Sequence, residues 1–246
     1  MALIIKPSQL EESAKLGAQF RHCIHEEPEI GLYLPKTQEN IVEALKSFGI
    51  KGISTFVGGA NVTGVVAVIE GSRPGKTIGL RCTSLEEKTG VQWCSKVPMT
   101  MHACGHDGHV GTLLAAVHYI NQHRDFARRL VAIFQRGEEG FAGGRYMIED
   151  GLVQKFGIDE FYALHAEPML PVGFVGFIPG FATANADIFK ITFTGVGGHG
   201  SRPHLTKDPL VAACECVLSL QTIVSRSVDP NQTAVVSAGC FSCGNE

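Results

Sequence analysis

The sequence lacks a large excess of either charge, and it lacks a long apolar run. Lys and Arg number 21 against 24 Asp and Glu, for a formal net charge of −3 at pH 7. Nucleic-acid-binding and membrane-surface proteins usually carry a clustered basic excess, so we expect neither kind of partner. No uninterrupted apolar run approaches the roughly 18–20 residues of a membrane span. The first residues, MALIIKPSQLEESAK, also lack the apolar stretch and cleavage site of a signal peptide, so we expect a cytoplasmic protein.

The composition also argues against a disordered chain and against a disulfide scaffold. Of the 246 residues, 44% are hydrophobic and 18% are charged, which allows a sizeable core in one or two domains. The 29 glycines follow no collagen-like period. Eight cysteines are too sparse for a disulfide framework. We expect core positions for Cys82, Cys214 and Cys216, and no zinc or redox role for Cys240 and Cys243, which lack a second Cys/His pair.

Strand-like and helical segments alternate along most of the chain, which is typical of an α/β sheet covered by helices on both faces. A Gly- and Pro-rich segment after Pro168 interrupts this pattern and predicts a domain boundary near residue 186. The predicted elements are helices at 9–24, 37–48, 110–122, 145–150 and 208–227, and strands at 62–71, 77–82, 130–135, 160–165, 188–196 and 233–240.

The densest group of chemically active side chains is the segment HACGHDGH, residues 102–109, just before a predicted helix. A thiolate and an imidazole two residues apart, Cys104 and His106, can reach one metal ion, and the glycines let the backbone fold around it. The alternative interpretation is a polar loop whose histidines cap the following helix. The segment therefore indicates either a metal site or a capping loop.

Two adjacent carboxylates, Glu138 and Glu139, follow a wholly apolar strand, where open α/β sheets place their ligand crevices. Such a pair suits two tasks, one carboxylate binding a metal and the other acting as general base towards a water that the metal activates. The alternative is a solvated turn, which is the usual setting of an adjacent Glu pair.

Two further histidines lie at the ends of predicted strands. His165 is either a ligand or a structural hydrogen-bonding residue. Together with Cys104, His106 and Glu139 it would supply the sulfur, nitrogen and oxygen donors of a catalytic zinc or manganese site. His199, in GGHG, lies on a hairpin tip or on a tight turn from which it could donate to a substrate oxyanion or carboxylate.

The order of these motifs resembles that of the metal-dependent amidohydrolases related to hippurate hydrolase, N-acyl-amino-acid hydrolase and auxin-conjugate hydrolase. The motifs are HACGHDGH, a strand ending in EEG, LH followed by PxLPVG, then GGHGxxPH and DPxVAA, and the likeness runs from about Phe20 to Ser237. The resemblance implies an α/β fold with a mixed, helix-covered sheet in a zinc-peptidase-like catalytic domain, residues 1–186. It also implies a smaller, incomplete α+β lid or dimerisation domain, residues 187–246.

The resemblance further implies hydrolysis of the amide bond of an N-acyl amino acid, for example an N-benzoyl or N-acetyl one. It implies that His199 reaches the substrate from the lid domain, through which such enzymes form homodimers. The remaining implied roles are Glu138 as general base, and Cys104, His106, Glu139 and His165 as ligands of two divalent metal ions, Mn²⁺ or Zn²⁺.

Two departures from the family pattern favour an alternative function. Relatives carry an acidic D-M-D-A-L-P segment after the strand GLR, whereas residues 82–87 read CTSLEE and lack the aspartate that supports the ligands. Relatives also continue into the rest of the lid and a last histidine ligand. We therefore expect a C-terminally truncated chain with an exposed edge at TAVVSAGC. The alternative is an inactive homologue that at most binds metal or pairs with a full-length subunit.

A thiol hydrolase with Cys104 as nucleophile and His106 as base is a third candidate function. It is disfavoured because Cys and His two residues apart rarely adopt the required geometry, and because the Glu pair would have no role.

Overall fold

The computed structural model describes residues 6–82, 91–180 and 185–243. The chain folds into two compact units, Met1–Pro171 and Val172–Glu246. This division falls before the boundary predicted near residue 186, so the functional limits 1–186 and 187–246 stay a prediction. The departure from the acidic family segment at residues 83–87 lies outside the described residues.

The first unit is an α/β structure, and every helix and strand predicted for it is present with small shifts at the ends. Strand β1 and helix α5 were not predicted. The sequence of β1, GISTFV, gave no strand signal because apolar and polar residues do not alternate regularly in it. The helices are α1 Glu11–Glu26, α2 Pro35–Ser47, α3 His106–Gln122, α4 Gly143–Glu149 and α5 Leu152–Phe156. The strands are β1 Gly52–Val57, β2 Gly64–Glu70, β3 Arg73–Cys82, β4 Ala127–Phe134 and β5 Glu160–Ala163.

The five strands form one mixed sheet in the order β1-β2-β4-β3-β5. Strand β2 is antiparallel to both β1 and β4, whereas β3 runs parallel to β4 and β5. Because β3, β4 and β5 point the same way, their carboxyl ends lie along one edge of the sheet. The chain segments that follow these strands are therefore brought to the same side of the unit.

Helices cover both faces of this sheet, which confirms the predicted fold class. Alternate residues of β2 and β4 point to opposite faces, as the two-residue period of a strand requires. On one face Val65, Ala67, Ile69, Leu130, Ala132 and Phe134 pack against α1, α2 and α3. On the other face Val66, Val131 and Ile133 pack against Met147 of α4 and Leu152 of α5.

Helices α1 and α3 cross at two glycines, Gly17 and Gly111. A Cβ atom on Gly17 would lie 2.5 Å from the carbonyl oxygen of Gly111, and one on Gly111 would lie 2.5 Å from that of Gly17. Neither position can accept a side chain without a shift of backbone. This close approach fixes the first turns of α3, where the HACGHDGH motif ends, against α1.

The longest element in the described part of the second unit is helix α6 Pro209–Thr222, which continues as a π-helical turn, Ile223–Ser227. Oδ1 of Asp208 accepts the Leu210 N–H at 2.9 Å. With proline at the first helical position, this contact confirms the predicted start of the helix.

The strands predicted at 188–196 and 233–240 are not formed in the described part of the second unit. Residues 188–196 contribute only an isolated antiparallel bridge, between Val196 and Lys207. A strand persists only when a neighbour pairs with its N–H and C=O groups, and the described residues supply none beyond that bridge. Alternating hydrophobicity was therefore not sufficient evidence for a strand here.

Helix α6 buries none of its own residues. Cys214 is exposed and Cys216 is half-buried, so the predicted core positions were wrong for both. Among the described residues, Pro209–Ser227 is long and apolar enough to cross a membrane by length and composition alone. Core helices of globular proteins meet the same criterion, so the expectation of no membrane partner stays a prediction.

Candidate metal centre

Three chain segments bring the predicted ligands together at the carboxyl edge of β3, β4 and β5. Cys104 and His106 stand at the start of α3, Glu138 and Glu139 follow β4, and His165 follows β5. All five belong to the first unit. The sheet topology thus gathers residues that are far apart in the sequence.

A left-handed glycine links the first two of these side chains. Gly105 has φ 75° and ψ 17° and is the N-cap of α3, a conformation that glycine adopts at little cost. The N-cap of α3 is this glycine, which has no side chain to bond to the helix, so the interpretation of the motif as a histidine-capped loop stays a hypothesis. The chain turns at Gly105, and on either side of this turn Cys104 is half-buried and His106 is fully buried.

The imidazole of His165 faces the thiol of Cys104. Nε2 of His165 lies 3.3 Å from Sγ of Cys104. Its Nδ1 lies 2.7 Å from the carbonyl oxygen of Ala166, which can only accept, so Nδ1 carries the proton. The lone pair of the neutral ring is therefore on Nε2, on the Cys104 side, and a backbone carbonyl fixes this tautomer.

A tight loop after β4 carries the two glutamates. The Gly143 N–H donates to the Gly137 carbonyl at 3.0 Å and closes the loop. A Cβ atom on Gly143 would lie 1.6 Å from the carbonyl oxygen of Arg136, so only glycine fits. Glu138 is exposed and Glu139 is half-buried at the loop's tip.

The donor atoms of the predicted ligands form two overlapping groups. One oxygen or ring nitrogen from each of His106, Glu138 and Glu139 lies within 4.8 Å of the others. The same limit holds for Sγ of Cys104 and one ring nitrogen each of His106 and His165. His106 belongs to both groups. Sulfur, imidazole and carboxylate donors in this proximity are the ligand chemistry of zinc and, with fewer sulfurs, of manganese.

The surroundings of Cys104 disfavour a free thiolate. Burial raises the pKa of the Cys104 thiol, and the negative charges of Glu139 and Glu138 raise it further. Reactive cysteine nucleophiles lie in electropositive surroundings that lower the pKa. The site therefore gives no support to the thiol hydrolase, whereas a bound cation would offset the same clustered negative charge.

A cavity of about 40 Å³ adjoins Glu139 and is lined also by His102, Arg136 and Thr37. That volume has room for a few water molecules, not for an N-acyl amino acid. Burial lowers the pKa of His102 to about 4, so this ring is neutral at physiological pH. A substrate would have to approach from the open side, where Glu138 and His165 are exposed.

His199 belongs to the second unit and lies on an exposed turn that the Arg202 N–H closes by donating to the His199 carbonyl. Nδ1 of His199 accepts the Ser201 N–H at 3.2 Å. The neutral ring therefore carries its proton on Nε2, which makes Nε2–H a hydrogen-bond donor, as the predicted substrate contact requires.

Sequence reasoning assigned no individual role to two residues beside the predicted ligands. Asp107 is fully buried and bonds to α1, and His109 is buried with its ring centroid 4.6 Å from that of His165. The one sequence signal for His109 was its spacing of three residues from His106, which places both on one helix face.

The chain matches a family profile and several curated proteins. The profile of peptidase family M20/M25/M40 matches residues 83–241. Hippurate hydrolase of Campylobacter jejuni is 40% identical over 231 residues, which cover 92% of this chain and 59% of that protein. N-acetyldiaminopimelate deacetylase of Leuconostoc citreum is 37% identical over 230 residues, with the same two coverages. The chain thus spans about three fifths of the length of these relatives.

A solved structure with a related sequence is the YXEP protein of Bacillus subtilis, a dinuclear metal-binding peptidase of the M20 family. It is 32% identical to this chain, with a TM-score of 0.61, over 66% of this chain and 46% of that one.

Proposed function

The chain belongs to peptidase family M20/M25/M40, and from this premise we propose that it hydrolyses the amide bond of N-acyl amino acids in a metal-dependent reaction. The names of the relatives support this substrate class, because hippurate is N-benzoylglycine and the deacetylases remove an acetyl group from an amino acid. The observation that carries the proposal is the pair of overlapping ligand groups that share His106.

Four side chains are proposed to hold two divalent cations, Zn²⁺ or Mn²⁺. They are Cys104, His106, Glu139 and His165. Their donor atoms are a soft sulfur, intermediate imidazole nitrogens and a hard carboxylate oxygen, a combination that these ions bind. The dinuclear centre of the B. subtilis peptidase supports the number two. When bound, such cations supply Lewis acidity that polarises the scissile carbonyl and lowers the pKa of the attacking water.

Glu138 is the proposed general base. Its carboxylate is exposed, unlike that of Glu139, and one of its oxygens lies within 4.8 Å of His106. It would accept a proton from the attacking water and later donate that proton to the nitrogen of the leaving amine. The proton thus returns to the product, and the carboxylate is regenerated for the next cycle.

His199 is proposed to bind the substrate, since its Nε2–H is a donor on an exposed turn. A carbonyl oxygen that gains negative charge, or the carboxylate of the amino acid, would accept this hydrogen bond. We also propose that the lid domain, residues 187–246, forms a homodimer, as the family resemblance implies.

The test measures metal content and the release of free amino acid from N-benzoyl- and N-acetyl-amino acids. The full chain is treated with chelator and then supplied with Zn²⁺ or Mn²⁺. Metal-dependent turnover is expected, and Glu138→Gln should lower it about 10²–10⁴-fold while metal still binds. The matched control is Glu149→Gln, an exposed glutamate that pairs with Arg145 on α4 and should leave turnover unchanged.

Two other results would replace the proposal. A chain that turns over none of these substrates, whether or not it binds metal, would be the non-catalytic homologue. Turnover that survives the chelator and is lost on alkylation of Cys104 would identify a thiol hydrolase.

A further inference from the structure

We propose that His109 is a positioning residue that holds His165 in place to receive a metal ion, and that His109 is not itself a ligand. The inference rests on the proposed metal centre. It assigns different roles to His106 and His109, which the sequence of the HACGHDGH motif does not distinguish.

The location of His109 would suit either role. It lies one helical turn after His106 on α3, and its ring centroid is 5.1 Å from that of His106 and 4.6 Å from that of His165. Distance alone does not separate a third imidazole ligand from a supporting one.

The hydrogen bond of its Nε2 separates the two roles. The backbone N–H of Ala166 donates to Nε2 of His109 at 2.7 Å. The Ala166 amide keeps its proton, so the Nε2 lone pair of His109 that accepts it is not available to a metal, whereas the thiol proton facing Nε2 of His165 is lost when Cys104 binds a metal as thiolate. His109 is also absent from both ligand groups found among the described residues.

The partner of this bond is the residue next to His165. The Ala166 amide donates to His109, while the Ala166 carbonyl accepts Nδ1–H of His165, also at 2.7 Å. His109 therefore holds the His165–Ala166 peptide group, and the next peptide group along the chain supplies the Ala166 carbonyl that fixes the tautomer and the orientation of the His165 ring. Through that ring, Nε2 is held 3.3 Å from Sγ of Cys104.

The segment that carries His165 needs such support. Strand β5 ends at Ala163 and forms one edge of the described sheet, pairing with β3 on one side. The residues that follow, 164–167, are exposed. A hydrogen bond to the buried ring of His109 links this exposed segment to α3, the helix that also carries His106.

Two variants of His109 distinguish the effect of losing its hydrogen-bond acceptor from the effect of losing its ring. His109→Phe keeps a planar ring of similar size and removes the acceptor, whereas His109→Gln supplies an amide oxygen that can accept the Ala166 N–H. His123→Ala, at the C-cap of the same helix, is the control. Each full chain is treated with chelator, and its dissociation constant for Zn²⁺ is measured by competition with a chromophoric chelator.

The expected result is a 10- to 100-fold weaker Zn²⁺ affinity for His109→Phe, the usual effect of losing a residue that supports a ligand. His109→Gln and His123→Ala should stay within about threefold of the wild type. Wild-type affinity in His109→Phe would overturn the proposal. An equal loss of Zn²⁺ affinity in both His109 variants, together with a changed Co²⁺ absorption spectrum in His109→Gln, would also overturn the proposal, because the loss of a ligand gives that pattern.

Hydrogen exchange of the Ala166 amide in metal-free protein provides a readout that does not depend on metal. Its protection should fall in His109→Phe and persist in His109→Gln. If the wild type binds no metal, the proposed function fails, yet this exchange measurement still decides whether His109 fixes the peptide. Unchanged protection in His109→Phe would refute the positioning role even if that variant bound zinc poorly.

Discussion

Asp107 is predicted to be the main electrostatic link between α1 and the start of α3. Its carboxylate is fully buried, and Oδ2 accepts hydrogen bonds from Nε of Arg21 and from Nδ1 of His25, both at 2.8 Å. Burial by itself raises the pKa of Asp107, but the bonds from Arg21 and His25 outweigh it and hold the pKa below its usual value. The carboxylate is therefore charged at neutral pH.

The expected cost of Asp107→Asn follows from these contacts. A hydrogen bond to a charged group contributes about 1.5–3 kcal/mol. The bond from His25, whose side chain is 6% exposed, should contribute within that range, whereas the Arg21 side chain is 46% exposed and should contribute at most about 1 kcal/mol. Asparagine relieves part of the cost of burying a charge. We therefore expect a loss of about 2–3 kcal/mol in the free energy of unfolding.

The assay is urea unfolding of chelator-treated protein, followed by the fluorescence of Trp93. This is the single tryptophan of the chain, and its ring stacks on His22 of α1 with centroids 3.9 Å apart, so it reports on the first unit. The control is Asp125→Asn, whose ion pair with Arg73 is exposed and should contribute less than about 1 kcal/mol.

The pH dependence of stability provides an independent test. A carboxyl group whose pKa is lower in the folded protein stabilises it above the unfolded pKa of about 3.9, and this contribution is lost as the pH falls through the folded value. The difference between the wild type and Asp107→Asn should thus be largest near pH 7 and shrink below pH 4. An unchanged or higher stability of Asp107→Asn at pH 7, or a difference independent of pH, would refute the reasoning.

Two further predictions concern the helix crossing and the thiol. Gly111→Ala should lower the free energy of unfolding by about 1–3 kcal/mol, because its Cβ meets the Gly17 carbonyl. Gly108→Ala, whose Cβ meets nothing nearer than 3.8 Å, should be neutral or stabilising by up to about 1 kcal/mol, and the reverse order in urea unfolding would contradict this packing. Cys104→Ser should weaken Zn²⁺ binding measured by competition, whereas Cys94→Ser, at an exposed free cysteine, should not, and equal effects would exclude Cys104 as a ligand.

The sequence was sufficient to predict most of the first unit because its signals were local. Strands β2 and β4 are buried on both faces and therefore read as continuous apolar runs. The rule that ligand crevices lie at the carboxyl ends of parallel strands placed Glu139 and His165 at one edge of the sheet, where the structure has them, and their role as ligands stays a prediction. Strand β1 gave no such signal, because all of its residues except Val57 are partly or largely exposed, without regular alternation.

The remaining features depend on contacts that no local pattern encodes. The bond from Ala166 to His109 joins the segment after β5 to α3, so the motif alone could not separate His109 from His106. In the second unit, apolar and polar residues do alternate over residues 188–196, but a strand also requires a neighbouring strand that pairs with its backbone. Likewise Cys214 was expected in a core because α6 is apolar, although the described residues provide nothing that buries it.

The strand order has a consequence for how the protein is made. Strand β3 pairs in the described sheet only with β4 and β5, both of which emerge from the ribosome after Cys104 and His106 have been synthesised. A nascent chain therefore carries this thiol without its His165 partner until β5 has docked. Loading of the proposed metal centre would therefore be a late step of biogenesis, after β5 has docked.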